Sequence, residues 1–317
     1  MRVTALAGGI GAARFLRGLL AELRAGGQPY EVTVVGNTAD DVTLFGLHVS
    51  PDLDTVMYTL GGGIHEEQGW GRADETFAVK EELAAYGAQP QWFGLGDRDI
   101  ATHLVRTQML AAGYPLSQVT EALCDRWQPG VRLLPMTDDR VETHVVIDDA
   151  DGRRAVHFQE WWVRLHAATP ALSIVPVGVD DAKPAPGVLE AIAEADVLLL
   201  PPSNPVVSIG PILAVPGVRD AVVAPRAPVV GVSPIIGGAP VRGMADACLT
   251  AIGVETSAAA VAGLYRGFLD GWLVDPADAA TTADGVEIRV LPLYMRDEPS
   301  TRAIAAAALD LAAELAR

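Results

Sequence analysis

Two acidic segments carry the strongest chemical signal in this sequence. Asn37-Thr38-Ala39-Asp40-Asp41 and Pro51-Asp52-Leu53-Asp54-Thr55 follow one another closely, and Gly61-Gly62-Gly63 comes after them. Mg²⁺ is held by one or two carboxylates together with phosphate oxygens and water, so paired carboxylate loops suit a hard cation. Asp41 and Asp54 are the first candidates for metal ligands, with Asp40 and Asp52 in reserve, and the same carboxylates are candidates for accepting a proton. Adjacent acids in loops are also commonly just solvated.

A second signal is the glycine turn Gly8-Gly9-Ile10-Gly11, placed where an apolar run feeds a helical pattern. Its backbone N–H groups and the helix N-terminus suit a phosphate, although tight turns demand glycine for conformational reasons alone. A dinucleotide fingerprint needs a third glycine where Arg14 stands, and a Walker loop needs Gly-Lys-Ser/Thr; neither is satisfied. The loop Pro202 to Pro211 sets Ser203, Asn204 and Ser208 among prolines, which favours a preformed wall for a base, ribose or phosphate over a flexible linker. In Gly94-Leu95-Gly96-Asp97-Arg98-Asp99 the glycines permit close backbone approach, Arg98 suits an anion, and Asp97 or Asp99 suits a helix cap. Lys80, beside Glu81 and Glu82, reads by itself as a surface lysine in helix salt bridges. Trp161-Trp162 offers either a stacking surface or core filling and stays unassigned. His65, His103, His144 and His166 are scattered singly, and with no Gly-x-Ser-x-Gly elbow covalent catalysis is not indicated.

The elements that must hold these residues are legible in outline. Val3 to Ala7, Ala12 to Arg24 and Val32 to Val35 read as strand, helix and strand, a βαβ unit with a right-handed crossover. From about Gly61 to Trp127 the pattern is helical, with caps expected at Asp74, at Asp97 or Asp99, and at Ser117. Glu142 to Ile147 and Arg154 to Phe158 flank a turn composition and predict a hairpin. From Val188 the α/β rhythm returns, with strands at Val197 to Leu200, Val229 to Val232 and near Val286 to Leu291, then a helix from about Thr301. The expectation is a single α/β domain over 1–317, with a mostly parallel sheet, a β-hairpin, and a helical subdomain inserted at about 64–130.

Composition narrows the function. The chain has 317 residues and a formal charge of −17, which opposes a nucleic-acid partner. No apolar run approaches the roughly 20 residues of a membrane-spanning helix. The first strand begins at Arg2 without a tripartite leader, so an unprocessed cytoplasmic protein is expected. Cys124 and Cys248 have no partner at ligand spacing and are expected to be buried thiols.

Taken together, Ala7-Gly8-Gly9-Ile10-Gly11-Ala12-Ala13-Arg14-Phe15, the two acidic segments, Trp92 to Asp99 and the Pro202 to Pro211 loop strongly resemble the 2-phospho-L-lactate transferase family of coenzyme F420 biosynthesis. The resemblance spans essentially the whole chain and is nearest to the actinobacterial phosphoenolpyruvate transferase type. It implies a Rossmann-like core, a Mg²⁺ requirement, a guanosine diphosphate-linked three-carbon acid as donor, the deazaflavin alcohol Fo as acceptor, and release of GMP with dehydro-F420-0 or F420-0. It implies Fo binding at Asp41 and Lys80, and nucleotide contacts from Gly8, Gly9, Gly11, Arg14, Asn37, Ser203, Asn204 and Ser208. Enolpyruvyl, lactyl and glyceryl donors differ only by a double bond or a hydroxyl. A homodimer is the family expectation. Two other readings are a non-catalytic nucleotide-sugar-binding regulator of the wider superfamily and a nicotinamide-dependent oxidoreductase. Neither needs the second acidic segment or the Gly-Leu-Gly-Asp-Arg-Asp run.

Overall fold

Successive residues of a strand point to opposite faces of its sheet, and strands that are apolar at nearly every position need cover on both. The computed structural model, which describes residues 1–224 and 227–316, provides that cover with two helical layers. β1 (Arg2–Ala7) leads into α1 (Gly9–Gly26), β2 (Glu31–Gly36), the short hairpin β3 (Val42–Leu44) and β4 (Leu47–Val49), and α2 (Pro51–Leu60). Then come α3 (Ala78–Ala85), α4 (Asp97–Ala111), α5 (Leu116–Trp127) and β5 (Arg132–Pro135). β6 (Glu142–Asp149), β7 (Gly152–His157) and β8 (Ala171–Val177) form a separate antiparallel sheet ordered β7-β6-β8. The chain continues through α6 (Val188–Ala193), β9 (Val197–Leu200), α7 (Gly210–Ala214), α8 (Val218–Val223) and β10 (Val229–Val232). It ends with β11 (Ile235–Ile236), β12 (Ala239–Pro240), α9 (Ala245–Ala251), α10 (Ala258–Leu264), β13 (Gly271–Val274), β14 (Glu287–Val290) and α11 (Glu298–Leu315).

The main sheet is seven-stranded, in the order β14-β13-β10-β9-β1-β2-β5, and every neighbouring pair is parallel. The chain builds outward from β1 to β5 and then returns to place β9 on the other side of β1. The loops after β1 and β9 therefore diverge, which opens a crevice at the carboxyl ends of these strands. Val3, Ala5 and Ala7 pack with α1, α2, α5 and α11, whereas Leu6, Val35 and Leu198 pack with α6 to α10. The expected mostly parallel α/β architecture is thus what the chain adopts, with the β6–β7 hairpin extended by β8.

Three helix starts differ from the spacing-based expectation. Asp74 lies upstream of α3 with a left-handed φ of 54° and does not cap it. Asp97 opens α4, but its carboxylate accepts the N–H groups of Ala78 and Val79 and so caps α3; Glu75 accepts those of Arg98 and Asp99 and caps α4 in return. Ser117 lies inside α5, whose first turn is capped from afar by Asp138, 2.6 Å from the Ser117 nitrogen. Any carboxylate near the orphan N–H groups satisfies them, so packing decides which one does. Cys248 is buried as expected, Cys124 only partly, and both are free. Among the described residues no helix is long and apolar enough to cross a membrane.

α1 and α11 meet at Gly18. A Cβ there would stand 2.6 Å from Thr301 Cγ2 and 2.8 Å from the Thr301 backbone. Gly18→Ala gains about 1 kcal/mol of helix propensity. It is nevertheless expected to destabilise the protein by about 1–2 kcal/mol net through overpacking, read as a lower urea midpoint.

Candidate active site

At the switch point Gly8 is extended, Gly9 turns with φ 74°, and α1 starts. The Gly8 N–H donates to Ser203 Oγ at 3.3 Å. A Cβ on Gly8 would press against Asp52 and Ser208, and one on Gly11 would collide with the Pro202 carbonyl. These glycines let the loops after β1 and β9 close on the start of α2. Asn204 accepts the N–H groups of Val206 and Val207, capping a π-helical turn, Pro205–Ile209, that carries Ser208 to Gly8. Around this junction lies a cavity of about 890 Å³, a size that suits small-molecule ligands. Gly8, Gly9, Gly11, Arg14, Ser203, Asn204 and Ser208 all line it.

The four acidic candidates divide differently from their expected ranking. Asp40 and Asp52 line the cavity, whereas Asp41 and Asp54 do not. The segment from Pro51 is the first turn of α2 and not a loop, so Asp52 and Asp54, two residues apart, point to different sides. Asp54 turns inward to an ion pair with the fully buried Arg106, whose Nη1 also lies 3.1 Å from His103 Nδ1. Asp41 Oδ2 accepts the Ser50 hydroxyl at 2.7 Å and stands 2.9 Å from His48 Nε2. Asn37 does not reach for a ligand: its amide nitrogen donates to Asp52 Oδ2 at 2.9 Å and the Val207 carbonyl at 3.2 Å, and its oxygen accepts the Ala39 N–H.

Burial pushes the Asp40 carboxyl well above its usual range, and the charges of Asp52 and Asp41 add to the shift. Burial likewise pushes Asp52 up to about 6, against the opposing hydrogen bonds from Asn37 and the Gly9 backbone. Asp41 is raised by burial and partly held down by His48 and Ser50. Oδ1 of Asp40 and Oδ1 of Asp41 are buried without a hydrogen-bond partner among the described residues. Clustered carboxylates that resist ionising together suit a bound cation, which removes the conflict. No three His, Cys, Asp or Glu side chains among the described residues form a complete metal cage. The two cavity-facing carboxylates fit Mg²⁺, which takes its remaining ligands from phosphate and water.

Arg14, Arg242 and Arg296 line the same cavity. Burial, with Arg242 and Arg17 nearby, holds the Arg14 guanidinium below its ordinary value. On a chain of charge −17 these three give the cavity a positive lining, which suits an anion. Arg242 and Arg296 escaped the sequence reading. Arg242 had a usable signal, since it is the single cation in the Gly/Pro loop Ser233 to Gly243, which leaves the same sheet edge after β10.

Lys80 is half-buried on α3 and forms no ion pair among the described residues, unlike the surface lysine read from its neighbours. It lines a smaller cavity of about 190 Å³ with Phe45, Val79, Leu83 and Phe93. Phe93 also lines the main cavity, as does Gly94. Asp97, Arg98 and Asp99 stay away from it: Asp97 caps α3, Arg98 is exposed, and Asp99 accepts the Tyr58 hydroxyl at 2.7 Å. Of the tryptophan pair, Trp161 fills the core and Trp162 lines the cavity.

A parallel sheet covered by helices on both faces, with a glycine turn, buried carboxylates and arginines around a cavity at its switch point, defines a doubly wound α/β protein with its small-molecule site at that edge. The chain belongs to the 2-phospho-L-lactate transferase CofD family, whose model matches residues 3–289. It is 72% identical over 320 aligned residues to the phosphoenolpyruvate transferase of Thermobifida fusca, and 69% identical to that of Kitasatospora aureofaciens, covering 99% of both chains in each case. Identity to the phosphoenolpyruvate transferase of Mycolicibacterium smegmatis is 58%, over 98% of this chain and 99% of that one. The crystal structure of protein BH3568 from Bacillus halodurans shares the fold, with a TM-score of 0.62 at 19% identity over 97% of this chain and 99% of that one. Family membership makes this protein a transferase.

Two outcomes follow from the buried charges. Arg106→Met leaves Asp54 unpaired in the interior and is expected to destabilise the fold by about 3–5 kcal/mol, most of which the double change Asp54→Leu/Arg106→Met should restore in urea denaturation. For Asp52 the folded value of about 6 lies above the ordinary 3.8, so its contribution to stability is full below about pH 4 and is lost as pH rises through about 6. In thermal melts of metal-free protein, Asp52→Asn is expected to flatten the pH dependence across that window.

Proposed function

We propose that this transferase moves the phosphoenolpyruvyl group from a guanosine diphosphate-linked donor to the primary hydroxyl of the deazaflavin Fo, giving dehydro-F420-0 and GMP. The observation that carries the reading is the facing of Asp40 and Asp52 against the glycine turn and three arginines across one cavity, an arrangement suited to a metal-bound diphosphate. The relatives named phosphoenolpyruvate transferase support the enolpyruvyl donor over 2-phospho-L-lactate.

In this reading Asp40 and Asp52 hold Mg²⁺, which when bound supplies charge stabilisation to the diphosphate. The N–H groups of Ile10 and Gly11 at the start of α1 and the guanidiniums of Arg14, Arg242 and Arg296 orient the phosphates and take up charge developing on the GMP leaving group. Ser203 and Ser208 fix the turn against the loop after β9. The acceptor lies toward Lys80 and Gly94, where Phe93 lines both cavities, while Asp41 stays behind that surface on His48 and Ser50. The Fo hydroxyl attacks phosphorus in line with the leaving group while its proton passes to a carboxylate oxygen of the Asp40–Asp52 pair.

Purified protein with Fo, Mg²⁺ and each of the enolpyruvyl, lactyl and glyceryl donors is expected to release GMP fastest with the enolpyruvyl compound, followed by nucleotide chromatography and product mass. Asp40→Asn and Asp52→Asn are each expected to lower turnover by about 10²–10³-fold with unchanged circular dichroism. Near-normal turnover in both variants would remove the carboxylate pair from the mechanism, and tight uridine-sugar binding without turnover would favour the regulator.

A further inference from the structure

Behind the cavity wall, Asp54, His103 and Arg106 are buried polar groups that the proposed chemistry leaves unused. Arg106 stands in α4, yet its guanidinium reaches three partners on three elements. It pairs with the Asp54 carboxylate in α2, donates to the His48 carbonyl in β4 at 3.3 Å, and donates to His103 Nδ1, one turn back in its own helix, at 3.1 Å. The next residue, Thr107, accepts the His48 N–H on Oγ1 at 2.8 Å. Adjacent residues of α4 therefore grip His48 by both of its backbone groups. His48 adjoins Leu47, which with Phe45 lines the smaller cavity on the acceptor side. Asp54 stands two residues from Asp52, which faces the main cavity. One guanidinium thus joins the hairpin that walls the acceptor side to the helix that presents a cavity carboxylate. The planar fork of arginine, with five donors, can serve several acceptors at once in a way that an ammonium does not.

The network around this guanidinium is incompletely satisfied. Asp54 Oδ2, His103 Nε2 and Arg106 Nε are all buried without a hydrogen-bond partner among the described residues. A guanidinium has no acceptor, so His103 Nδ1 accepts from Arg106 and Nε2 carries the ring proton. That nitrogen stands 3.5 Å from Asp99 Oδ2, too far for a good hydrogen bond, while Asp99 Oδ1 accepts the Tyr58 hydroxyl from α2. Buried groups with unused donors and acceptors exchange partners when the elements that carry them shift. A small movement of α2 is therefore passed through Arg106 to His48, and a movement of the hairpin is passed back to Asp54.

We infer that Arg106 is a positioning residue that couples the two substrate sites. It touches neither ligand. Magnesium-bound nucleotide seated on Asp52 tightens the acceptor wall at Phe45 and Leu47 through Asp54, Arg106 and His48, and the acceptor tightens the nucleotide site by the same factor, because coupling between binding sites is reciprocal. The two sites themselves are those of the reading proposed above, on which this coupling rests.

The test is titration of the full chain with Fo, followed by deazaflavin fluorescence, with and without saturating Mg²⁺ and GDP. Calorimetric titration with GDP in Mg²⁺, with and without Fo, measures the reverse effect. In wild type each ligand is expected to raise the affinity for the other by about 5–10-fold. Asp54→Leu/Arg106→Met, which removes the link without leaving a buried charge unpaired, is expected to bind each ligand alone and to bring the factor to about 1. Arg106→Lys keeps a cation beside Asp54 but lacks the fork that also reaches His48; it is expected to abolish most of the coupling, and it answers the case in which the double variant does not fold. A wild-type factor of about 1 would overturn the coupling. So would a factor unchanged in Arg106→Lys, even with both affinities lowered, since that marks a purely structural role. Wild-type protein that binds Fo but no GDP in Mg²⁺ would overturn the donor reading itself, a result distinct from either.

Discussion

The carboxamide of Asn37 joins the three segments that make the cavity floor. It sits at the end of β2, reaches Asp52 in the first turn of α2, and reaches the Val207 carbonyl in the turn after β9. Those segments approach closely enough for this only because Gly8 and Gly11 carry no Cβ between them. A buried amide satisfied on all sides is directional in a way that apolar contact is not, so it sets the register of the three loops to within hydrogen-bond tolerance. The placement of Asp52, Ser203 and Ser208 depends on it.

The same junction concentrates opposing charge. Asp40, Asp41 and Asp52 are buried near one another, and the first and last face a cavity that also receives Arg14, Arg242 and Arg296. Neither group is neutralised by direct ion pairing with the other among the described residues. Two of the arginines instead hold backbone: Arg14 donates to the Glu66 carbonyl at 3.1 Å and Arg242 to that of Glu67 at 3.3 Å. Separated fields of both signs along one open cavity suit a ligand that is itself a metal-bound anion.

The helices between β4 and β5 are tied to this centre by charge as well as packing. Arg106 of α4 pairs with Asp54 of α2, and the Tyr58 hydroxyl of α2 donates to Asp99 of α4. Leu116, Val119 and Leu123 of α5 join the core beneath α2. Asp54 therefore positions the helix that presents Asp52, a role indistinguishable in sequence from that of a ligand.

Sequence by itself determined the parallel α/β core, the glycine turn, the family and the rough location of the acidic centre. These depend on local features: apolar runs that must be covered on both faces, glycines where side chains do not fit, and carboxylates at strand ends. Tertiary structure alone decided which carboxylate serves which purpose. Asp52 and Asp54 share a motif, but a spacing of two residues on a helix sends them to opposite environments, and Asp97 and Glu75 exchange caps because α3 and α4 lie side by side. It likewise decided that Arg242, Arg296 and Gln159, far apart in the chain, would meet the glycine turn around one cavity. Periodicity and turn chemistry act over a few residues, whereas the direction of a side chain and the company it keeps are set by packing between segments that sequence spacing does not encode.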